Sequence, residues 1–141
     1  MKRFAVQMID NSISSDWWKT IMEHFTSVGD TFEIRCWKEE LSEIAGASLY
    51  GAATEDKNEV SIKGIVTQEL LEELLTDSPE DKEIYNKMTR YFTVNIKNDL
   101  YDIWSGHYGT EMYIEMASVK DIDFFEQVMD QYSEMFSIAM L

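Results

Sequence analysis

The chain contains very little cysteine, and this scarcity limits the chemistry available to it. Cys36 is the only cysteine among 141 residues, which excludes an intramolecular disulfide and the zinc sites built from several cysteines. Because Cys36 lies in an alternating apolar segment, we interpret it as a small buried hydrophobe rather than a reactive thiol. A lone thiol without a signal peptide is typical of a reducing compartment, so we expect a cytoplasmic protein.

Long hydrophobic runs are also missing from the sequence. A transmembrane helix needs about 20 apolar residues, whereas the apolar runs here extend over only a few positions, as in residues 137–141. The N-terminus carries Lys2 and Arg3 but no long apolar stretch and no small-residue cleavage site. We therefore predict that it forms a first strand rather than a signal peptide, and we expect no membrane partner.

Basic residues are scarce relative to acidic ones. The chain has 12 bases and 27 acids, which gives a formal net charge of −15. Such a field opposes direct binding to nucleic acid or to anionic membranes, and it favours basic proteins as partners. A simpler interpretation, in which the acidity only keeps the chain soluble, stays open at this point.

The acidic residues are concentrated in the second half of the chain. Residues 69–83 contain seven acids and one base, and residues 111–134 again contain seven acids and one base. Each segment therefore has a net charge of −6, and together they account for −12 of the total. The first 65 residues are much closer to balance.

The hydrophobic periodicity predicts an α+β fold. Segments that alternate between apolar and polar residues indicate strands, and segments with apolar residues three and four apart indicate helices. The predicted order is βαβ(ββ)ααβββα, in one domain spanning residues 1–141. This order favours an antiparallel or mixed sheet of about six strands, with helices packed mainly on one face.

Several helix starts carry recognisable capping residues. Thr67 precedes a leucine-rich helix, and Ser78 with Pro79 predicts a further helix start, with Ile84 and Met88 on its inner face. Ser118 precedes a long C-terminal helix predicted from about Val119 to Ser137. The apolar stripe of that last helix is Ile122, Phe125, Met129, Tyr132 and Phe136.

Catalytic and cofactor-binding patterns are absent from the sequence. His24 is interpreted as a structural histidine beside an apolar helix stripe, and no glycine-rich phosphate loop occurs. His107 lies between Gly106 and Gly109 and is most simply a polar hairpin tip, although such loops also carry function. His107 and Glu111 are too few to hold a metal ion. We predict no catalytic residues, no metal and no cofactor.

The acids of the last helix form the best candidate binding surface. Asp123, Glu126, Asp130 and Glu134 fall along one side of the predicted helix, away from its apolar stripe. Like charges at this spacing repel, and a basic partner would relieve the repulsion. Trp104 and Tyr108 are added as candidate aromatic anchors, since tryptophan and tyrosine are common at interfaces.

In size, acidity and lack of a catalytic signature the chain resembles the small immunity proteins and antitoxins with which bacteria neutralise toxins. The resemblance is one of class and composition and covers no diagnostic motif. It implies an inhibitor that masks a basic partner such as a nuclease toxin. Two alternatives stay open: a small-ligand-binding protein or enzyme with a pocket near His107, Tyr108 and Glu111, and a structural subunit that forms homodimers.

Overall fold

One antiparallel sheet runs through the protein. The computed structural model describes residues 1–10, 12–79 and 87–141. The sheet strands are β1 (Lys2–Met8), β2 (Thr31–Trp37), β3 (Gly51–Glu55), β4 (Glu59–Ile65), β5 (Thr93–Lys97), β6 (Asp102–Gly106), β7 (Glu111–Met116) and β8 (Phe136–Met140). They lie in the order β3-β4-β2-β5-β6-β7-β1-β8. The α+β class is confirmed, while the expected number of about six strands is too low.

Four helices accompany the sheet within the described residues. They are α1 (Asp16–Phe25), α2 (Leu41–Ser48), α3 (Gln68–Thr76) and α4 (Val119–Asp130). The predicted caps of α3 and α4 are confirmed, because the Thr67 hydroxyl accepts a hydrogen bond from the Leu70 amide at 3.1 Å and the Ser118 hydroxyl accepts one from the Asp121 amide at 3.4 Å. No described helix is long and apolar enough to cross a membrane.

The sheet has one face that is packed against helices and one that is open. Alternate residues of each central strand are buried, as in β2, where Phe32, Ile34 and Cys36 are buried and the residues between them are not. These residues join the apolar stripes of α1, α3 and α4 in a single core cluster. Burial raises the pKa of the Cys36 thiol to about 12, so its interpretation as a buried hydrophobe is confirmed.

The end of the chain differs from the predicted long helix. Helix α4 stops at Asp130, and after a turn the chain forms strand β8, which pairs antiparallel with β1. Phe136, Ile138 and Met140 alternate, so they also fit a strand. Tertiary pairing decides between the two patterns: Phe136 lies opposite Met8 and packs edge-on against a tryptophan of α1. The expectation of a helix to Ser137 was therefore wrong.

Two further predictions concern the β3–β4 pair and the helix expected after Ser78. The two adjacent strands in parentheses in the predicted order correspond to β3 and β4, which pair antiparallel across residues 56–58. The helix predicted to begin at Ser78 and Pro79, with Ile84 on its inner face, falls largely on residues 80–86, which lie outside the described residues. Met88, assigned to the same inner face, is buried.

Candidate functional site

The open face of the sheet carries nearly equal numbers of bases and acids. The strand registers place four bases and five acids on the open face, namely Arg3, Arg35, Lys63 and Lys97 with Glu33, Glu59, Asp102, Glu111 and Glu115. The other eight bases and 22 acids of the chain lie elsewhere in the sequence. The open face is thus nearly neutral, and the acidic excess is carried outside it.

Several acids of the second half already have partners within the protein. Arg3 of β1 donates to Glu115 of β7, directly across the strand pair. His107 Nδ1 lies 2.8 Å from Glu111 Oε2. The charge of Glu115 is therefore compensated locally by Arg3, and the Glu111 carboxylate is engaged by the His107 imidazole.

Asp121, in the first turn of α4, is also satisfied internally. Its oxygens lie 3.0 Å from His24 Nε2 and 2.8 Å from the Tyr101 hydroxyl. Partial burial acts to raise the pKa of Asp121, but the hydrogen bonds from His24 and Tyr101 outweigh it and hold the pKa below its ordinary value. His24 stacks on Phe124 with ring centroids 3.8 Å apart. This arrangement agrees with a structural histidine.

Three acids of α4 have no such compensation. Asp123, Glu126 and Asp130 are exposed, and their spacings of three and four residues place them on one side of the helix. Among the described residues, none of the three makes an ion pair. Asp130 is the last residue of α4 and therefore lies at the negative end of the helix dipole. The last turn of α4 contains no base that would offset this unfavourable position. We call these three residues the acidic stripe.

Glu134 lies close to the acidic stripe in sequence but not on the helix. It is exposed in the turn between α4 and β8, and the part of the chain that the structure describes offers it no ion-pair partner. The four predicted acids are therefore all accessible. Only the first three share a helix face.

Helix α4 is anchored firmly beneath the stripe. Phe125 packs on Phe4 of β1 with ring centroids 4.8 Å apart, and Ile122, Val128 and Met129 are buried beside it. The helix also contacts α1 along the helix layer. Because its inner face belongs to the core, α4 holds the outer carboxylates on a fixed support.

Trp104 lies on the opposite side of the sheet from α4. It alternates onto the open face of β6 and packs on Tyr113 with ring centroids 5.2 Å apart. Its indole lies across Gly106, where an added Cβ would meet the six-membered ring. Two shallow depressions, of about 380 Å³ and 650 Å³, flank Trp104. The structure therefore does not bring Trp104 together with the acidic stripe.

Tyr108, predicted as an aromatic anchor, is buried and supports the surrounding structure. Only 7% of it is exposed, and its hydroxyl donates to Glu40 at 3.0 Å. Its carbonyl accepts from the Met88 amide at 2.8 Å. His107 and Tyr108 both adopt left-handed backbone conformations, with φ of 48° and 60°. Such conformations are uncommon outside glycine and need support from their surroundings.

No match was found in three comparisons. No protein-family description, no curated protein and no solved structure is significantly similar to this chain. Across residues 1–10, 12–79 and 87–141, no group of three or more His, Cys, Asp or Glu side chains is arranged to hold a metal ion.

Sequence reasoning missed one feature beside α4, the exposed outer strand of the sheet. β8 is the terminal strand of the sheet, and it pairs with β1, on which α4 rests. Ile138 and Met140 are 40% and 60% exposed. The alternation of Phe136, Ile138 and Met140 indicates a strand, but Phe136 was assigned to the apolar stripe of the predicted helix.

Proposed function

We propose that the protein is an inhibitor-type binding module, of the immunity or antitoxin kind, which docks a basic protein through the outer face of α4. The observation that carries the proposal is the contrast within one helix. Asp121 is fully engaged by His24 and Tyr101, whereas Asp123, Glu126 and Asp130 have no basic partner in the described chain.

The energetics favour a cationic counterpart for this helix. Asp123 with Glu126, and Glu126 with Asp130, are like-charged pairs that each destabilise a helix by roughly 0.2–0.5 kcal/mol. A lysine or arginine brought by a partner would convert this repulsion into attraction. Surface charges of one sign also accelerate association with an oppositely charged protein, at the expense of strong salt dependence.

The low net charge of the open face also supports docking through α4. A partner attracted by the net charge of −15 is steered away from the open face, because that face carries almost none of that charge. Inhibition would then follow from covering the partner's basic surface and competing with nucleic-acid phosphates for it.

The test mixes the purified protein with a cationic nuclease toxin domain and measures affinity and residual nuclease activity as salt is varied. We expect inhibition, with affinity falling steeply as the Debye length shrinks from about 30 Å toward 3 Å between about 0.01 and 1 M salt. The double substitution Glu126→Gln with Asp130→Asn should weaken binding. The matched control, Glu39→Gln with Glu55→Gln, removes two exposed charges outside α4, one between β2 and α2 and one at the end of β3, and should not. Equal effects of both pairs would contradict the proposal.

A second candidate function, small-molecule binding, has one observation in its favour. The two depressions on the open face meet at Trp104, rather than at His107, and they include charged groups of both signs. Aromatic rings beside polar groups are common in ligand sites. Quenching of tryptophan fluorescence by a bound small molecule, lost in Trp104→Leu but kept in Trp37→Leu, would favour this function over the first.

A further inference from the structure

Among residues 1–10, 12–79 and 87–141, no strand pairs with the outer backbone edge of β8. Leu141 donates its amide to the Arg3 carbonyl at 2.8 Å, and Ile9 donates to the Met135 carbonyl at 2.8 Å. In an antiparallel ladder the backbone groups of alternate residues point to the same side. The amides and carbonyls of Phe136, Ile138 and Met140 therefore point away from β1, on the outer side of the sheet.

The usual protection of an edge strand is missing from β8. Edge strands commonly carry lysine, proline or a bulge that discourages pairing with another chain. Residues 136–141 contain no charged side chain and no proline, in a chain with 39 charged residues. Five of the six are exposed, including Ile138, Met140 and Leu141. The strand thus offers both hydrogen-bonding groups and apolar contacts.

The acidic stripe lies at the same end of the sheet as this edge. Ile138 and Met140 share the face of Val6 and Phe4, their partners in β1, and Phe4 packs under Phe125 of α4. An added strand would therefore project alternate side chains toward the helix side. A lysine there can lay its aliphatic stem on Ile138 and Met140 and extend its ammonium group on the side of the sheet that α4 covers.

We propose that β8 accepts an extended, lysine- or arginine-containing segment of the basic partner as a ninth strand of the sheet. The inference rests on the proposed function and specifies how the partner is held: backbone hydrogen bonds from β8, with alternate basic side chains directed to the acidic stripe. A second copy of the chain fits less well, because it would bring two acidic stripes and two net charges of −15 together.

The probe is a synthetic peptide of about seven residues that alternates valine and lysine, long enough to cover a typical strand. Amide hydrogen exchange is measured with and without it. Binding should slow exchange at Phe136, Ile138 and Met140, while Ser137 and Ala139, which already bond to β1, change little. A peptide with glutamate in place of lysine should bind at least about tenfold more weakly. Unchanged exchange at all three outward amides overturns the proposal.

Two substitutions at one position separate the backbone from the side chain. Ile138→Pro removes the outward amide and the isoleucine side chain but breaks no hydrogen bond to β1, because proline is tolerated where an edge N–H faces outward. It should weaken peptide binding by up to about tenfold, the loss expected for one interstrand bond. Ile138→Ala keeps the amide and should weaken binding less. Circular dichroism and retained β1 amide protection check that both variants stay folded.

The outcomes distinguish the two proposals. If Glu126→Gln with Asp130→Asn weakens peptide binding while Ile138→Pro does not, the edge proposal is overturned and the acidic docking surface stands. If neither substitution alters binding of the peptide or of a cationic nuclease domain, both are overturned. If sedimentation finds a dimer of the free protein that Ile138→Pro dissociates, β8 pairs with its own copy, and the basic-partner assignment of the edge is overturned.

Discussion

Removing charge from the acidic stripe should stabilise the free protein. Glu126 takes part in both like-charged pairs of the stripe, and Asp130 ends α4 at the negative pole of its dipole. Neither residue makes an ion pair within the described residues. Glu126→Gln with Asp130→Asn therefore removes repulsion and loses no internal ion pair. Glutamate and glutamine have similar helix propensities, so little else changes at position 126.

The expected gain follows from these contacts. Relief of two like-charged pairs contributes about 0.4–1 kcal/mol. Removing a negative charge from the helix C-terminus adds about 0.3–1 kcal/mol. The double variant should thus unfold with a free energy about 0.7–2 kcal/mol higher than the parent at low salt. At about 2–4 °C per kcal/mol, the melting temperature should rise by a few degrees.

Urea denaturation at low and high salt measures the effect, and Asp121→Asn is the matched control. It also removes one negative charge from α4, but it replaces one of the two oxygens that accept from His24 and Tyr101 with an NH2 group and should destabilise the protein. The gain of the double variant should shrink as salt screens the charges. A destabilised double variant, or a gain that is insensitive to salt, would refute the reasoning.

Three further predictions follow from the packing and hydrogen bonds. Phe125→Ala should lower the free energy of unfolding by about 3–5 kcal/mol in urea, because it empties the contact with Phe4. Gly106→Val should displace the indole of Trp104 and alter the near-ultraviolet circular dichroism, whereas Gly29→Asn, at an open turn with φ of 100°, should not. The hydrogen bonds that lower the pKa of Asp121 stabilise the fold at pH values above the unfolded pKa of about 3.9, and this stabilisation is lost as the pH falls through the lower pKa of the folded state. Asp121→Asn should therefore make the free energy of unfolding less dependent on pH in acid.

Local signals in the sequence account for much of the fold. The hydroxyls of Thr67 and Ser118 satisfy amides of the first helical turns in α3 and α4, and this requirement is readable from residue type and position. The alternation in β2 and the turn between β3 and β4 were likewise readable, because side-chain direction along a strand has a period of two.

The structure of the C-terminal segment, and which residues share one surface, depend on tertiary contacts that the sequence does not show. Phe136 satisfied a helical spacing from Tyr132, but the free edge of β1 offered a full ladder of hydrogen bonds to the same residues. Likewise, the sequence placed Trp104 beside the acids of α4 as a joint surface, and only the strand registers reveal that they lie on opposite sides of the sheet. Spacing along the chain does not report which sheet face an element covers.

The central claim is that cations are received by α4 and its neighbouring strand, rather than by the open face. An NMR titration of the isotopically labelled protein with hexalysine at low salt tests it directly. The account predicts amide shifts concentrated in residues 123–140 and suppressed by Glu126→Gln with Asp130→Asn. Shifts centred on Trp104 and Tyr113, or spread evenly over the molecule, would contradict it.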